Sequence, residues 1–242
     1  MRIRILLAVT AAILTAVPLT AHDFWLTAAP WSPASVVTVS ANLGERFPKS
    51  TDYTPPERIE GWRVGGPDDE VPVTRDFRRD GDVLAADVSL PRPGAYLATM
   101  TIAPRVGDMK GPSFNSYLQE EGLDWVIAAR RAAGLSEAPA KERYARYAKV
   151  AFRTGVGSGA HLLRAMGFPA ELVPMTDPTM LRAGQLLTMQ LIAGGKPVSG
   201  AAVTALAGDG GHPAMGRTDK NGQVTLSIDR EGASGWSGRF TW

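Results

Sequence analysis

The side chains of this sequence best suited to metal chemistry are its three histidines, His22, His161 and His212. His22 stands out because of what precedes it. Arg2 and Arg4 make a basic start, Ile5 to Val17 is a short apolar run, and Pro18 to Ala21 leads into a candidate cleavage point. This is the form of a removable export signal. Cleavage after Ala21 makes His22 the first residue of the processed chain. An N-terminal histidine presents an α-amine and an imidazole a few bonds apart, and together they chelate a divalent transition metal. A second imidazole, from His161 or His212, would complete a T-shaped histidine brace. The residues that follow, Asp23-Phe24-Trp25-Leu26, supply large apolar surfaces able to pin the terminus in place.

His161 follows a Gly-Val-Gly-Ser-Gly run and precedes Leu162-Leu163, which reads equally as an ordinary surface-loop histidine. His212, in Gly210-Gly211-His212-Pro213, reads as a turn residue. The Gly155 to Gly159 loop lacks the Lys-Ser/Thr ending of a phosphate-binding loop. Met175 and Met180 are soft donors of the kind that suits a cuprous ion, although scattered methionines ordinarily fill cores. Asp68, Asp69 and Glu70 form the densest acidic group, without the spacing of a calcium loop. No Ser/His/Asp arrangement is legible, so hydrolysis has no support.

Composition narrows the field further. The chain has 242 residues and no cysteine, which excludes thiolate catalysis, Cys-ligated zinc and a disulfide framework. The formal charge of +2 is carried by Arg2 and Arg4, so the processed chain is balanced. No basic stripe interleaved with aromatics argues for nucleic acid. After residue 21 no stretch approaches the roughly 18 apolar residues of a membrane span, and the processed chain is expected to be soluble.

These residues need elements to hold them. From Ser35 to Ile102, short alternating runs such as Val37-Thr38-Val39 and Tyr96-Leu97-Ala98-Thr99-Met100 are separated by Gly65-Gly66-Pro67, Asp80-Gly81 and Pro91-Arg92-Pro93-Gly94. That pattern predicts an antiparallel β-sandwich. From Ser113 the period changes. Phe114, Tyr117 and Leu118, then Leu123, Val126 and Ile127, fit helical spacing, with Gly122 marking a kink or a break and Gly134 a stop. A further helix is predicted after Ser136, with Ala140, Tyr144, Tyr147, Ala148 and Ala151 on one stripe and a solvated face of Lys141, Arg143, Arg146, Lys149 and Arg153. Leu186 to Ile192, Ala201 to Leu206 and Val224 to Ile228, joined at Gly194-Gly195 and Asn221-Gly222, predict an immunoglobulin-like domain. Only about 60 residues are left for it, against about 100 for a complete sandwich of that kind. The Gly/Ser-rich tail after Arg230 shows no alternation, so its last strand is expected to be missing or altered.

The expected organisation is a signal over residues 1–21, a β-sandwich over 22–172 carrying a helical segment at 113–154, a linker over 173–182 and a short, incomplete immunoglobulin-like domain over 183–242. The fold class is mainly β.

Several segments carry a resemblance. They are Ala21-His22-Asp23-Phe24-Trp25-Leu26, Phe114-Asn115 with Tyr117-Leu118 and Glu121-Gly122-Leu123, and Arg143-Tyr144 with Arg146-Tyr147 and Lys149. Leu172-Val173-Pro174 with Thr176-Asp177-Pro178, Gly195-Lys196-Pro197 with Gly200-Ala201, and Thr218-Asp219 with Gly222 complete the set. In order and spacing they resemble a bacterial periplasmic family of unknown function whose members are often described as the periplasmic component of ABC-type cobalt or nickel uptake. The resemblance implies a secreted, β-rich protein linked to transition-metal handling.

The resulting expectation is a periplasmic accessory protein, without catalysis, that binds nickel, cobalt or copper through His22, with His161 as the additional protein ligand, and serves inner-membrane metal-transporter components. Protons compete for both donors of His22, so binding should strengthen as pH rises. The alternative is an envelope binding or scaffold module that needs no metal. Copper-dependent oxidation would require an open coordination position and a reducing partner.

Overall fold

The computed structural model describes residues 22–30, 34–45, 47–206, 214–228 and 238–241. The expected signal, His212 and residues 229–237 of the tail lie outside that set.

Two four-stranded antiparallel sheets form the first module. The strands in chain order are β1 (Asp23–Ala29), β2 (Val36–Gly44), β3 (Ile59–Gly65), β4 (Glu70–Val71), β5 (Arg78–Asp80), β6 (Val83–Ser89), β7 (Ala95–Met109) and, after two helices, β8 (Ala140–Arg153). One sheet runs β1-β2-β6-β5 and the other β4-β3-β7-β8. Alternation along β2 and β6 sends Val37, Val39, Leu84, Ala86 and Val88 inward, where they meet Val64, Tyr96, Ala98, Met100, Val150 and Phe152 of the opposite sheet. The Tyr96 and Phe152 rings stack at 5.6 Å. The Tyr96 hydroxyl donates to the Arg92 carbonyl, so the proline-rich turn is tied to the strand it feeds, in the manner of a tyrosine corner.

β7 and β8 outrun the sandwich. Their register shifts between Ile102 and Arg105, at a point where Pro104 has no amide to give to the ladder. Beyond it the two strands continue as a ribbon to Met109 opposite Ala140. Two short helices close its tip, α1 (Gly111–Glu120) and α2 (Asp124–Ala132). Gly122, at φ +69°, and Gly134, at φ +68°, adopt the left-handed conformation that ends each of them.

The helix expected over the basic Tyr-rich segment is instead β8. Ala140–Arg153 carries two periods at once. Read every second residue, Ala148, Val150 and Phe152 form an inward row that is buried in the structure. What decides is tertiary: β7 presents a long edge whose amides and carbonyls need partners, and pairing along it satisfies them while burying Ala148, Val150 and Phe152. Helical structure in this region therefore ends at Ala132 and does not reach residue 154.

The second module comprises β9 (Ala170–Pro174), β10 (Gln185–Ala193), β11 (Lys196–Pro197), β12 (Ala202–Ala205), β13 (Ala214–Arg217), β14 (Gln223–Ile228) and β15 (Gly238–Thr241). β10 pairs with β9, β11 and β14, while β12 pairs with β13 and β15. Its core is Leu172, Leu191, Val203, Val224 and Leu226. The module begins upstream of the boundary drawn from sequence, because Ala170–Pro174 is hydrogen-bonded into its sheet. Gly194 and Gly195, both at positive φ, make the tight β10–β11 hairpin that two consecutive glycines permit. No helix among the described residues is long and apolar enough to cross a membrane.

Candidate metal centre

His22 immediately precedes β1, whose first residue, Asp23, pairs with Gly44 at the end of β2. The chain leaving β2 folds back over the outer face of β1. Trp25, 2% exposed, lies beneath this loop with the Phe47 ring edge-on at 5.6 Å, while Leu26 and Ala28 join the sandwich core. Ser50 ties the loop down: its hydroxyl accepts from the Leu43 amide at 3.0 Å and lies 2.8 Å from the Asp82 carbonyl. The Thr51 and Asp52 amides both donate to the Leu43 carbonyl. Gly44 is required here, since a Cβ would stand 2.8 Å from the Thr51 hydroxyl and 3.0 Å from the Lys49 carbonyl.

The consequence of this foldback is chemical. Asp52 Oδ2 lies 3.7 Å from His22 Nδ1, and Glu45 Oε1 lies 3.8 Å from Nε2. From the other side, Arg146 Nη2 donates to the His22 carbonyl at 2.8 Å. An N-terminal histidine chelates through its amine and Nδ1 in a six-membered ring, so Asp52 stands on the side of the imidazole where the metal would sit. Adjacent donors at roughly 2.1 Å from one ion are about 3 Å apart, so less than an ångström of side-chain motion brings Asp52 into position. Glu45 faces the opposite ring nitrogen. It suits the second carboxylate that accepts the remote N–H of a ligating histidine and fixes its orientation. Among the described residues, no group of three or more His, Asp and Glu side chains can hold a metal ion by itself; cleavage before His22 would add its α-amine as a further donor.

His161 is elsewhere. It lies in the short 3-10 turn Ala160–Leu163, close to the Ala95 backbone, Arg153 and Asp177. Burial is the main reason its pKa lies below the ordinary histidine value, with Asp177 opposing and Arg164 reinforcing the shift. Nε2 is buried without a hydrogen-bond partner among the described residues. Arg146, which holds His22, and Arg153, beside His161, are separated by seven residues of β8, roughly 23 Å at strand rise. An odd spacing along a strand also puts Arg146 and Arg153 on opposite faces of the sheet. His22 and His161 therefore lie toward opposite ends and on opposite faces of β8, and the carboxylates that stand beside His22 are Asp52 and Glu45.

The remaining candidates have ordinary employment. The Gly155–Gly159 loop wraps the Arg153 guanidinium, which donates to the Gly157 carbonyl at 2.8 Å and to Asp177 at 2.6 Å. Glu70 accepts a two-pronged contact from Arg63 at 2.7 and 2.9 Å, and Asp68 pairs with Arg92. Met175 and Met180 are exposed. Sequence reasoning missed Glu45 and Asp52, for which the only signal was the hairpin pairing of residues 23–29 with 36–44.

Fold and site together define a β-sandwich protein in which the histidine just before the first strand lies between two carboxylates. The chain belongs to the family described as Domain of unknown function (DUF4198), whose model matches residues 19–236. A comparison with curated proteins gives no match.

Proposed function

We propose that this chain is an exported, periplasmic protein that binds a divalent transition metal, nickel, cobalt or copper, as an accessory to metal uptake by inner-membrane transporter components. The metal is held by the His22 amine, His22 Nδ1 and Asp52, and Glu45 orients the imidazole. The observation that carries this reading is the seat of His22: an imidazole between Asp52 and Glu45, on a backbone fixed by Arg146 and anchored by buried Trp25. Ordering these groups before the ion arrives lowers the entropic cost of binding. The donor set is nitrogen and oxygen without thiolate, which suits all three metals. Intrinsic affinity would follow the order cobalt, nickel, copper.

The test is calorimetric titration of nickel into protein that begins at His22, beside a version with one additional residue before it. Blocking the amine should weaken binding by tenfold or more, and His22→Ala should abolish it. Equal affinities for the native and extended termini would remove the amine from the site and overturn the proposal. Asp52→Asn, which keeps the loop's shape, should weaken binding by a comparable factor.

A further inference from the structure

Three arginines from separate stretches of chain gather on one side of the β7–β8 ribbon, next to His22. Arg58 closes the 3-10 turn Pro56–Arg58 and donates from Nη2 to the Ala103 carbonyl at 2.8 Å, within the register shift of β7. Arg105 stands directly opposite Tyr144 across the ribbon, and paired residues of an antiparallel ladder project to the same face. Tyr144 and Arg146 are two residues apart and share that face; the Arg146 guanidinium lies 4.6 Å from the centre of the Tyr144 ring. Arg58 and Arg146 are half-buried and Arg105 is exposed. Among the described residues, none of the three lies within ion-pair distance of a carboxylate. Burial first, then the positive charge of Arg105 with Arg146 adding to it, holds the Arg58 guanidinium below the usual arginine range.

Like charges brought together and partly withdrawn from water raise the free energy of the empty site, and an anion relieves that. Guanidinium forks match the planar oxygen pairs of carboxylates, and the Tyr144 hydroxyl adds a donor. The geometry points to a binding site at Arg58, Arg105, Tyr144 and Arg146 for a small anion with two or more carboxylate groups, so that the metal reaches His22 as its carboxylate chelate. A polycarboxylate can satisfy the arginines with one group and leave oxygen donors for an ion held beside Arg146, whose guanidinium touches the His22 carbonyl. The delivery of metal rests on the proposed role of His22, whereas the anion site rests on the arginines alone.

The experiment is calorimetry on the processed chain with three titrants: citrate without metal, nickel alone, and nickel citrate. Metal-free citrate should bind, should lose tenfold or more in affinity in Arg105→Ala and in Arg58→Ala, and should be unaffected by His22→Ala. Nickel alone should bind Arg105→Ala as it binds the native protein, while nickel citrate should be weakened in both Arg105→Ala and His22→Ala. Arg105→Lys, which keeps the charge at an exposed position and so preserves the fold, should recover part of the citrate affinity. Citrate that fails to bind, or binds both alanine variants like the native protein, overturns the anion site even where nickel binds normally. Inorganic phosphate binding as tightly as citrate overturns the assignment to carboxylates. Citrate binding without any nickel binding overturns metal delivery and the reading of His22 together, and leaves the arginine site standing.

Discussion

At the scale of single residues, the proposed role of His22 rests on its neighbours. An imidazole 40% exposed, with carboxylates facing both nitrogens, has its orientation restricted before a ligand arrives. Glu45→Gln removes the charge facing Nε2 while keeping its shape, and should lower nickel affinity by about 10- to 100-fold, the range for a group that orients a ligating histidine; calorimetry against Asp52→Asn separates orientation from ligation. A second residue of consequence is Glu171, whose side chain is 1% exposed. Burial pushes its carboxyl upward, but the Met166 amide at 2.9 Å, Lys149 Nζ at 2.9 Å and the Gly167 amide at 3.0 Å outweigh that, and its pKa ends below the ordinary glutamate value. The unfolded chain binds that proton more readily, so the stabilisation is complete above the ordinary value of 4.5 and is lost as pH falls through the lower folded value. Glu171→Gln should cost about 3–5 kcal/mol in denaturant unfolding at neutral pH, because it strands Lys149 in a buried setting. Its stability should also fall less on acidification than that of the native protein.

At the scale of elements, the ribbon of β7 and β8 shows how little periodicity settles for a short amphipathic stretch. Tyr144, Tyr147, Ala148 and Ala151 make a credible helical stripe, yet the same segment buries Ala148, Val150 and Phe152 against the opposite sheet. The choice depends on a partner some forty residues earlier in the chain, which no local window contains. By contrast the breaks at Gly122 and Gly134 were legible, since glycine at a helix end is a local signal. The helical pair contributes little to the main core: Leu118 and Leu123 are buried, but neither belongs to the sandwich cluster. Replacing residues 110–139 by an Asn-Gly turn between Met109 and Ala140, which already face each other in register, should leave a folded sandwich. Its thermal midpoint should stay within a few degrees of the native value and its nickel affinity should be unchanged. Phe152→Ala, which removes a fully buried ring stacked on Tyr96, should cost about 3–5 kcal/mol.

At the scale of the whole molecule, the two modules are joined by charge as well as by chain. Lys149 and Arg153 of β8 reach Glu171 of β9 and the Asp177–Thr179 turn at 2.9 and 2.6 Å for the ion pairs and 2.9 Å for the Thr179 hydroxyl. Burial lowers the Lys149 pKa, with Glu171 opposing, so the charged lysine is held there against a desolvation cost. Adding Lys149→Met to Glu171→Gln should recover most of the loss, because the double variant leaves no stranded charge while the glutamine oxygen still accepts from the amides of the Met166–Gly167 turn; a denaturant-unfolding cycle of single and double variants measures it. The same β8 separates the two histidines, with Arg146 at the His22 end and Arg153 at the His161 end.

By itself the sequence determined the mainly β class, the absence of thiol chemistry, the turns at Asp80-Gly81 and Gly194-Gly195, and a histidine followed by an apolar anchor. Each of these is written in composition or in a few adjacent residues. Tertiary structure alone decided that Asp52 and Glu45 flank His22, that His161 sits beside the Arg153 end of β8, away from His22, that three arginines converge beside the ribbon, and that the Tyr-rich segment is a strand. Those outcomes depend on which edges pair and how a loop folds back across a tryptophan, and pairing energies of that kind exist only between parts of the chain that are distant in sequence.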